Sequence, residues 1–204
     1  MSSSKVVKYD KSRYFWQGVT LVSKIFTASW LTDKDVDYLI FNYPDSTITP
    51  REHTRIQLLK LLKLPSDSPL NILNYEYVKE SPGKIISLSH GQEAGAVIAV
   101  SKHIADGVGI DIELKKRKIH PRSKKFFVNK HDLDISSDNL LHLWVMKEAA
   151  FKAAAPRLPH LKVLNQLWVK EQQFGLVGSE QAIGEVGLTK LKAQIVAAAY
   201  LRII

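Results

Sequence analysis

The sequence predicts an α+β fold built from two similar halves, residues 1–105 and 106–204, that pack together as an intramolecular pseudo-dimer. Short apolar segments bounded by turn residues alternate with stretches of helical spacing, which indicates a mixed fold. An internal sequence similarity indicates the two halves, because Ala94–Ser101 (AGAVIAVS) resembles residues 193–200 (AQIVAAAY). Each copy closes a segment of roughly a hundred residues that starts with a predicted strand and continues through helices.

The first half is predicted to begin with a strand and a short helix. Residues 15–25 (FWQGVTLVSKI) are apolar and rich in β-branched and aromatic side chains, which favours a strand. Residues 33–43 (DKDVDYLIFNY) begin at a capping residue, Thr32 or Asp33, and predict a short helix.

A stronger helix is predicted to begin after Thr49. Thr49 is a good N-cap residue, Pro50 occupies the first helical position, and Glu52 completes a capping box. Pro65 ends the helix because proline cannot continue it. The apolar residues of this segment predict a broad buried face: Ile56, Leu58, Leu59, Leu61, Leu62 and Leu64.

Strands follow in the rest of the first half. Residues 68–80 predict a loop with a short strand, and Lys84–His90 and Ala94–Ser101 predict two strands joined near Gly91.

The second half is predicted to begin with a strand at Gly107 and to contain the strongest helix. Residues 121–134 predict a helical region, and residues 137–155 carry apolar side chains at helical spacing. Further strands are predicted at residues 167–169, 174–177 and 195–204.

The charge balance limits the classes of partner. The chain has 29 Lys and Arg against 20 Asp and Glu, a formal charge of +9, which favours a polyanion. Nucleic acid, a phosphorylated cofactor and an acidic protein all satisfy that condition. Cysteine is absent, so disulfides and thiolate sites are excluded. With no signal-peptide pattern and no apolar run of about 20 residues, we expect a cytoplasmic protein without a membrane partner.

Two acidic residues lie on one face of the predicted strand Gly-Ile-Asp-Ile-Glu. Strand side chains alternate, so Asp111 and Glu113 share a face while Ile110 and Ile112 point into the core. Two carboxylates on one face repel each other unless a cation lies between them, and Mg²⁺ prefers such oxygens. The alternative is an edge strand with solvated acids.

One side of the predicted helix of the second half carries a candidate metal ligand and a candidate phosphate ligand. Trp144, Glu148 and Lys152 are spaced four apart and therefore share one side of the helix. Glu148 could supply a third carboxylate to a metal, and Lys152 could contact a phosphate. The alternative is a Glu–Lys surface pair, which is common on helices.

A third motif, Ser-Leu-Ser-His-Gly, ends a predicted strand. Ser89 and His90 offer a hydroxyl and an imidazole beside the flexible Gly91, which suits a phosphate. The alternative is a turn in which both side chains bind local backbone groups. The chain has neither a GxSxG motif nor a Walker lysine motif, which argues against a hydrolase triad and a P-loop.

Taken in this order, the three motifs resemble the 4′-phosphopantetheinyl transferase superfamily. The family pattern is a G-[IV]-D strand followed by W-x-x-K-E-[AS]-x-x-K, and the chain has Gly-Ile-Asp and Trp-Val-Met-Lys-Glu-Ala-Ala-Phe-Lys. Asp111 and Glu148 are 37 positions apart, within the range expected of the family. The close resemblance covers about a third of the chain. Its Asp-Ile-Glu version and length resemble the long, surfactin-synthetase-activating type, in which two similar halves form one chain.

The resemblance implies catalytic roles for specific residues. Asp111, Glu113 and Glu148 match the Mg²⁺ ligands, with Mn²⁺ as a possible substitute. Glu148, directly or through a metal-bound water, would take the proton of the acceptor serine, and Lys152 would stabilise the pyrophosphate as 3′,5′-ADP leaves. Lys147 belongs to the motif but projects about 100° from Glu148, so it is expected at the edge of the cofactor or in a structural pair.

The resemblance also implies how coenzyme A is bound. Ser89 and His90 match residues that hold its phosphates. Arg55 resembles the family's arginine near the 3′-phosphate, with Arg51 as a competitor. Lys84 is the expected contact of the nucleotide, with Lys79 as a competitor.

The implied function is the transfer of phosphopantetheine from coenzyme A to a serine of an acidic apo acyl or peptidyl carrier protein, by a monomer. One departure from the family lies before the second helix, where Asn129 and Asp132 are expected to form a substitute cap. The alternatives are a catalytically degenerate coenzyme A-binding homologue and a basic nucleic-acid-binding protein. The scattered basic residues and the lack of a recognisable nucleic-acid module argue against the latter.

Overall fold

The computed structural model describes residues 35–43, 48–73, 76–132 and 140–202. These residues form an α+β fold, as predicted. The strands are β1 (Val36–Asn42), β2 (Ile72–Leu73), β3 (Tyr77–Val78), β4 (Lys84–His90), β5 (Ala94–Ser101), β6 (Gly107–Leu114), β7 (Leu167–Lys170), β8 (Gln173–Leu176), β9 (Ala182–Lys190) and β10 (Gln194–Leu201). The helices are α1 (Pro50–Leu61) and α2 (Leu140–Ala154), with short 3-10 helices at Pro121–Phe126, Lys130–Asp132 and Leu164–Gln166.

Two antiparallel sheets share one pattern of connections. The first has the order β1-β5-β4, and the second has the order β6-β10-β9-β8-β7. In each sheet the first strand pairs with the second arm of a hairpin, β4–β5 or β9–β10. The hairpin loops, residues 91–93 and 191–193, have the same length. The predicted boundary at residue 105 falls between β5 and β6, and the pseudo-dimer remains a prediction.

The core has three layers of apolar side chains. One lies between α1 and the first sheet and includes Phe41, Leu58 and Val97. One lies between α2 and the second sheet. The middle layer contains Ile98 from the first sheet and Ile110 from the second. Because this middle layer draws on both sheets, the two halves share a core and bury their inner faces against each other.

Two predictions for the sheets are corrected by the structure. Residues 33–43 were expected to contain a helix, but residues 36–42 form β1, which pairs with β5 along its whole length. Pairing with a fully buried strand outweighs local helix propensity in so apolar a segment. Strand β9 was not predicted, although its hairpin with β10 repeats the β4–β5 hairpin. The strand predicted at residues 15–25 lies outside the described residues.

Helix α1 begins as predicted but buries a different face. The side chains of Thr49 and Glu52 form the expected capping box, and Pro50 opens the helix. The helix ends before Leu62, three residues short of Pro65. Its buried face is partly polar and consists of His53, Thr54, Gln57, Leu58 and Leu59. The leucines near the C-terminal end of the segment are half-buried.

The first predicted helical region of the second half is divided into short 3-10 helices. Residues 133–139, which hold the end of that region and the start of the next predicted helix, lie outside the described residues. The region expected over residues 121–134 forms the 3-10 helices Pro121–Phe126 and Lys130–Asp132. Helix α2 is described over Leu140–Ala154. Among the residues that the structure describes, no helix is long and apolar enough to cross a membrane.

Glycines on β6 bring α2 unusually close to the second sheet. Gly107 and Gly109 share a strand face with Asp111. A Cβ atom at Gly109 would collide with the carbonyl oxygen of Ala149, and one at Gly107 with that of Ala153. The absence of side chains therefore lets the backbone of α2 rest directly on β6, next to the carboxylate of Asp111.

Replacing Gly109 with alanine is expected to lower the free energy of unfolding by about 1–3 kcal/mol, because the new methyl group must push α2 away from β6. The measurement is urea denaturation followed by circular dichroism. Gly83→Ala is the control, since a Cβ atom there meets no atom within 4 Å. Equal stability of the two variants would show that the close approach is not needed.

Candidate active site

Asp111 forms the centre of the candidate site. It lies on β6 and is 5% exposed. Its Oδ1 atom accepts hydrogen bonds from the Ser89 hydroxyl and from Nζ of Lys152, each 2.8 Å long. Its Oδ2 atom is buried and has no hydrogen-bond partner among the described residues. The Asp111 carboxylate is thus held firmly on one side and left open to a further electropositive group on the other.

Two serines of β4 accept hydrogen bonds from backbone N–H groups of β6. Ser87 and Ser89 share a face of β4, and their Oγ atoms accept from the backbone N–H groups of Ile110 at 3.2 Å and Ile112 at 3.4 Å. Ser89 also donates to Asp111 and is 6% exposed. In this arrangement Ser89 orients Asp111, whereas the resemblance implied direct contact with a phosphate of coenzyme A.

Helix α2 brings Glu148 and Lys152 to Asp111. Nζ of Lys152 also donates to the carbonyl oxygen of Ile110 at 3.0 Å, which anchors the ammonium group beside the carboxylate. Burial and, secondly, the charge of Asp111 raise the pKa of Glu148, although Lys152 and Arg117 oppose the rise. A carboxylate whose pKa is raised toward neutrality is a stronger base than an ordinary surface glutamate.

Glu113 is held by an arginine that sequence reasoning did not single out. Arg117 forms an ion pair with Glu113, and its guanidinium carbon lies 5.2 Å from the centre of the Trp144 ring. Trp144 also packs edge-on against Phe127. Arg117 stands four residues after Glu113 within a basic run, and that spacing was the signal available in the sequence.

The three predicted metal ligands are not gathered into a ready cation site. Within residues 35–43, 48–73, 76–132 and 140–202, no group of three His, Asp or Glu side chains is arranged to hold a metal ion. Lys152 occupies one oxygen of Asp111, and Arg117 occupies Glu113. Two observations nevertheless suit a cation at this position. Oδ2 of Asp111 is buried without a hydrogen-bond partner among the described residues, and burial and the charge of Asp111 raise the pKa of Glu148.

The residues expected to bind coenzyme A are dispersed. His90 is exposed at the end of β4 nearest Asp111. Lys84 lies at the opposite end of β4, roughly 17 Å from Ser89 by strand geometry, and its Nζ pairs with Asp37 at 3.3 Å. Arg55 donates to the carbonyl oxygen of Leu70 at 2.8 Å, which fixes the loop after α1. His90 therefore follows Ser89 at the same end of β4 but on the opposite face of the strand, while Arg55 and Lys84 make local contacts.

Lys147 forms a structural pair, one of the two roles considered for it. It is completely buried, and its Nζ contacts Oδ2 of Asp132 at 2.5 Å and the carbonyl oxygen of Phe127 at 2.6 Å. Asn129 and Asp132 form the expected cap, because the N–H of Asn129 donates to Oδ2 of Asp132 and the N–H of His131 donates to Oδ1 of Asn129. Lys147 thus fastens this turn to α2.

A second unpredicted contact joins the halves near the end of α2. Both carboxylate oxygens of Glu76, which is 4% exposed, accept from Arg157 at 2.8 and 3.0 Å. Arg157 also donates to the hydroxyl of Tyr77 at 3.0 Å. The clamp ties the segment after α2 to the first half.

A scan of protein-family models finds no match to the chain, and a search of curated proteins likewise finds none. The site combines the carboxylates of Asp111, Glu113 and Glu148 with two cations. Lys152 is anchored by Asp111 and the carbonyl oxygen of Ile110, and Arg117 pairs with Glu113. Carboxylates and a lysine are the residue types that contact divalent cations and phosphate groups, and the raised pKa of Glu148 favours proton uptake there.

Proposed function

We propose that the chain transfers the 4′-phosphopantetheine arm of coenzyme A to a serine of an apo acyl or peptidyl carrier protein and releases 3′,5′-ADP. The observation that carries the proposal is the cluster formed by Ser89, Asp111 and Lys152. These residues come from three motifs far apart in the sequence, and they share one hydrogen-bonded group. Chance matches to three short motifs would have no reason to meet at one carboxylate.

In the proposed reaction, one residue of α2 acts as the base and another stabilises the leaving group. Glu148 accepts the proton of the carrier serine, because its raised pKa favours proton uptake. The serine oxygen then forms a bond to the pantetheine-linked phosphorus, and the bond to the 3′,5′-ADP oxygen breaks. The ammonium group of Lys152 stabilises the charge that grows on the leaving phosphate. His90, exposed at the end of β4, contributes a donor to a phosphate of coenzyme A in this proposal.

Asp111, Glu113 and Glu148 are the residues that would hold Mg²⁺. The metal would neutralise the pyrophosphate oxygens and thereby lower the barrier to transfer. Ser89 orients Asp111 for this role, and Glu113 would become free for it if Arg117 moved aside.

The carrier partner is proposed to bind the basic segment after β6. Residues 115–130 contain eight lysines and arginines and no acidic residue. Phe126 is 56% exposed in this segment and lies beneath Nζ of Lys125, 4.9 Å from the ring centre. An acidic helical protein with an apolar contact patch is the complementary partner. Both sides of the proposed site lie on one chain, so we propose that the monomer is active.

Coenzyme A with Mg²⁺ is expected to raise the melting temperature by about 5–10 °C at a hundredfold excess over its Kd, because it binds the folded state. Dephospho-coenzyme A should give a smaller rise, since it lacks the 3′-phosphate. The measurement is differential scanning fluorimetry, with 3′,5′-ADP as a matched nucleotide control.

The second candidate function is a catalytically degenerate homologue that binds coenzyme A. The observation that favours it is the ion pair between Glu113 and Arg117, because a paired Glu113 is not available to a metal. A degenerate homologue would be stabilised by coenzyme A without transferring phosphopantetheine. A melting temperature unchanged by coenzyme A at millimolar concentration would contradict both candidates.

A further inference from the structure

Three carboxylates face two resident cations at the site. Lys152 neutralises Asp111, Arg117 neutralises Glu113, and Glu148 is left with a raised pKa. A divalent cation that binds all three carboxylates adds two positive charges and must compete with a side chain already there. The question is which resident cation gives way.

The two cations are held to different degrees. Lys152 is 29% exposed and is anchored by both Asp111 and the carbonyl oxygen of Ile110. Arg117 is 42% exposed, and its contacts are Glu113 and the face of Trp144. Moving Arg117 breaks one partly solvated ion pair and a contact with an aromatic ring, while moving Lys152 breaks two hydrogen bonds and leaves the buried carboxylate of Asp111 without its cation. Displacement is therefore easier at Arg117.

We propose that Arg117 is a built-in competitor for the divalent cation. It holds Glu113 while the site is free of metal, and it yields Glu113 when the metal binds. This inference rests on the proposed function, because it assumes that Glu113 is a metal ligand. The arginine offsets the charge of Glu113 until the metal arrives, and so it sets the metal concentration at which the site fills.

The test measures Mn²⁺ binding by electron paramagnetic resonance, without coenzyme A or carrier. Arg117→Gln removes the charge and should bind Mn²⁺ about fivefold more tightly than the unaltered protein, the scale expected from releasing an exposed ion pair. Arg117→Lys keeps the charge but loses the guanidinium contact with Trp144, so its gain in affinity should be smaller than that of Arg117→Gln, about twofold. Lys116→Gln is the matched control, because it removes one charge and one ion pair, with Glu93, from the adjacent position. It should change the affinity about twofold or less.

Each outcome decides the inference. Tighter binding in Arg117→Gln than in Lys116→Gln supports it, including the case in which the unaltered protein binds too weakly to measure. Equal or weaker binding in Arg117→Gln overturns it, and if the unaltered protein also transfers phosphopantetheine, the proposed function stands. If no variant binds Mn²⁺ and transfer proceeds in EDTA, both the metal assignment and the role of Arg117 are wrong.

Discussion

Replacing Asp111 with alanine is expected to reduce phosphopantetheine transfer at least about a thousandfold, because the charge that would hold the metal beside the pyrophosphate is removed. Asp111→Asn should be almost as inactive. Its amide oxygen can still accept from Ser89 and Lys152, so it keeps the fold while losing the charge. The measurement is the initial rate of carrier modification, with circular dichroism on the same samples.

The matched control for this prediction is Asp37→Ala. Asp37 also pairs with a lysine, Lys84, but at the far end of β4 and on the surface. Its loss should change the rate less than about twofold. Transfer by folded Asp111→Asn within tenfold of the unaltered rate would contradict the central role given to this carboxylate.

Replacing Lys147 with methionine is expected to lower the free energy of unfolding by about 3–5 kcal/mol, because it leaves the buried carboxylate of Asp132 without its cation. Both side chains are fully buried. Burial lowers the pKa of Lys147, and Asp132 opposes that shift, so the ammonium group depends on its partner. The measurement is guanidinium denaturation.

A double variant separates the ion pair from simple packing. Lys147→Met with Asp132→Asn should regain most of the lost stability, since the asparagine oxygen can still accept from the N–H of Asn129 without a buried charge. Lys116→Met, which breaks an exposed ion pair with Glu93, should cost about 0.5 kcal/mol. A double variant no more stable than Lys147→Met alone would rule out the buried charge as the cause.

Local signals predicted the parts of the fold that depend on neighbouring residues. The capping box of Thr49 and Glu52 is set by residues three apart, and the alternation of β6 buries Ile110 and Ile112 while placing Asp111 on the other face. These features follow from backbone geometry that a short segment carries by itself.

Features that depend on distant partners were missed or misjudged. Residues 36–42 form a strand because they pair with β5, whose residues lie 52 to 64 positions further along the chain, a fact that no local pattern contains. The Ser89 hydroxyl turns inward because the edge of β6 needs acceptors, which propensity cannot indicate. Arg117 was overlooked because a basic run favours a solvated surface, and its ion pair depends on where β6 ends.

The central claim is tested most directly by incubating the protein with Mg²⁺, coenzyme A and an apo carrier protein, and then weighing the carrier by mass spectrometry. The account predicts that the carrier gains one phosphopantetheine group on its serine, that EDTA stops the reaction and that Asp111→Asn leaves the carrier unmodified. An unmodified carrier, under conditions in which an authentic transferase modifies the same carrier fully, would contradict the account.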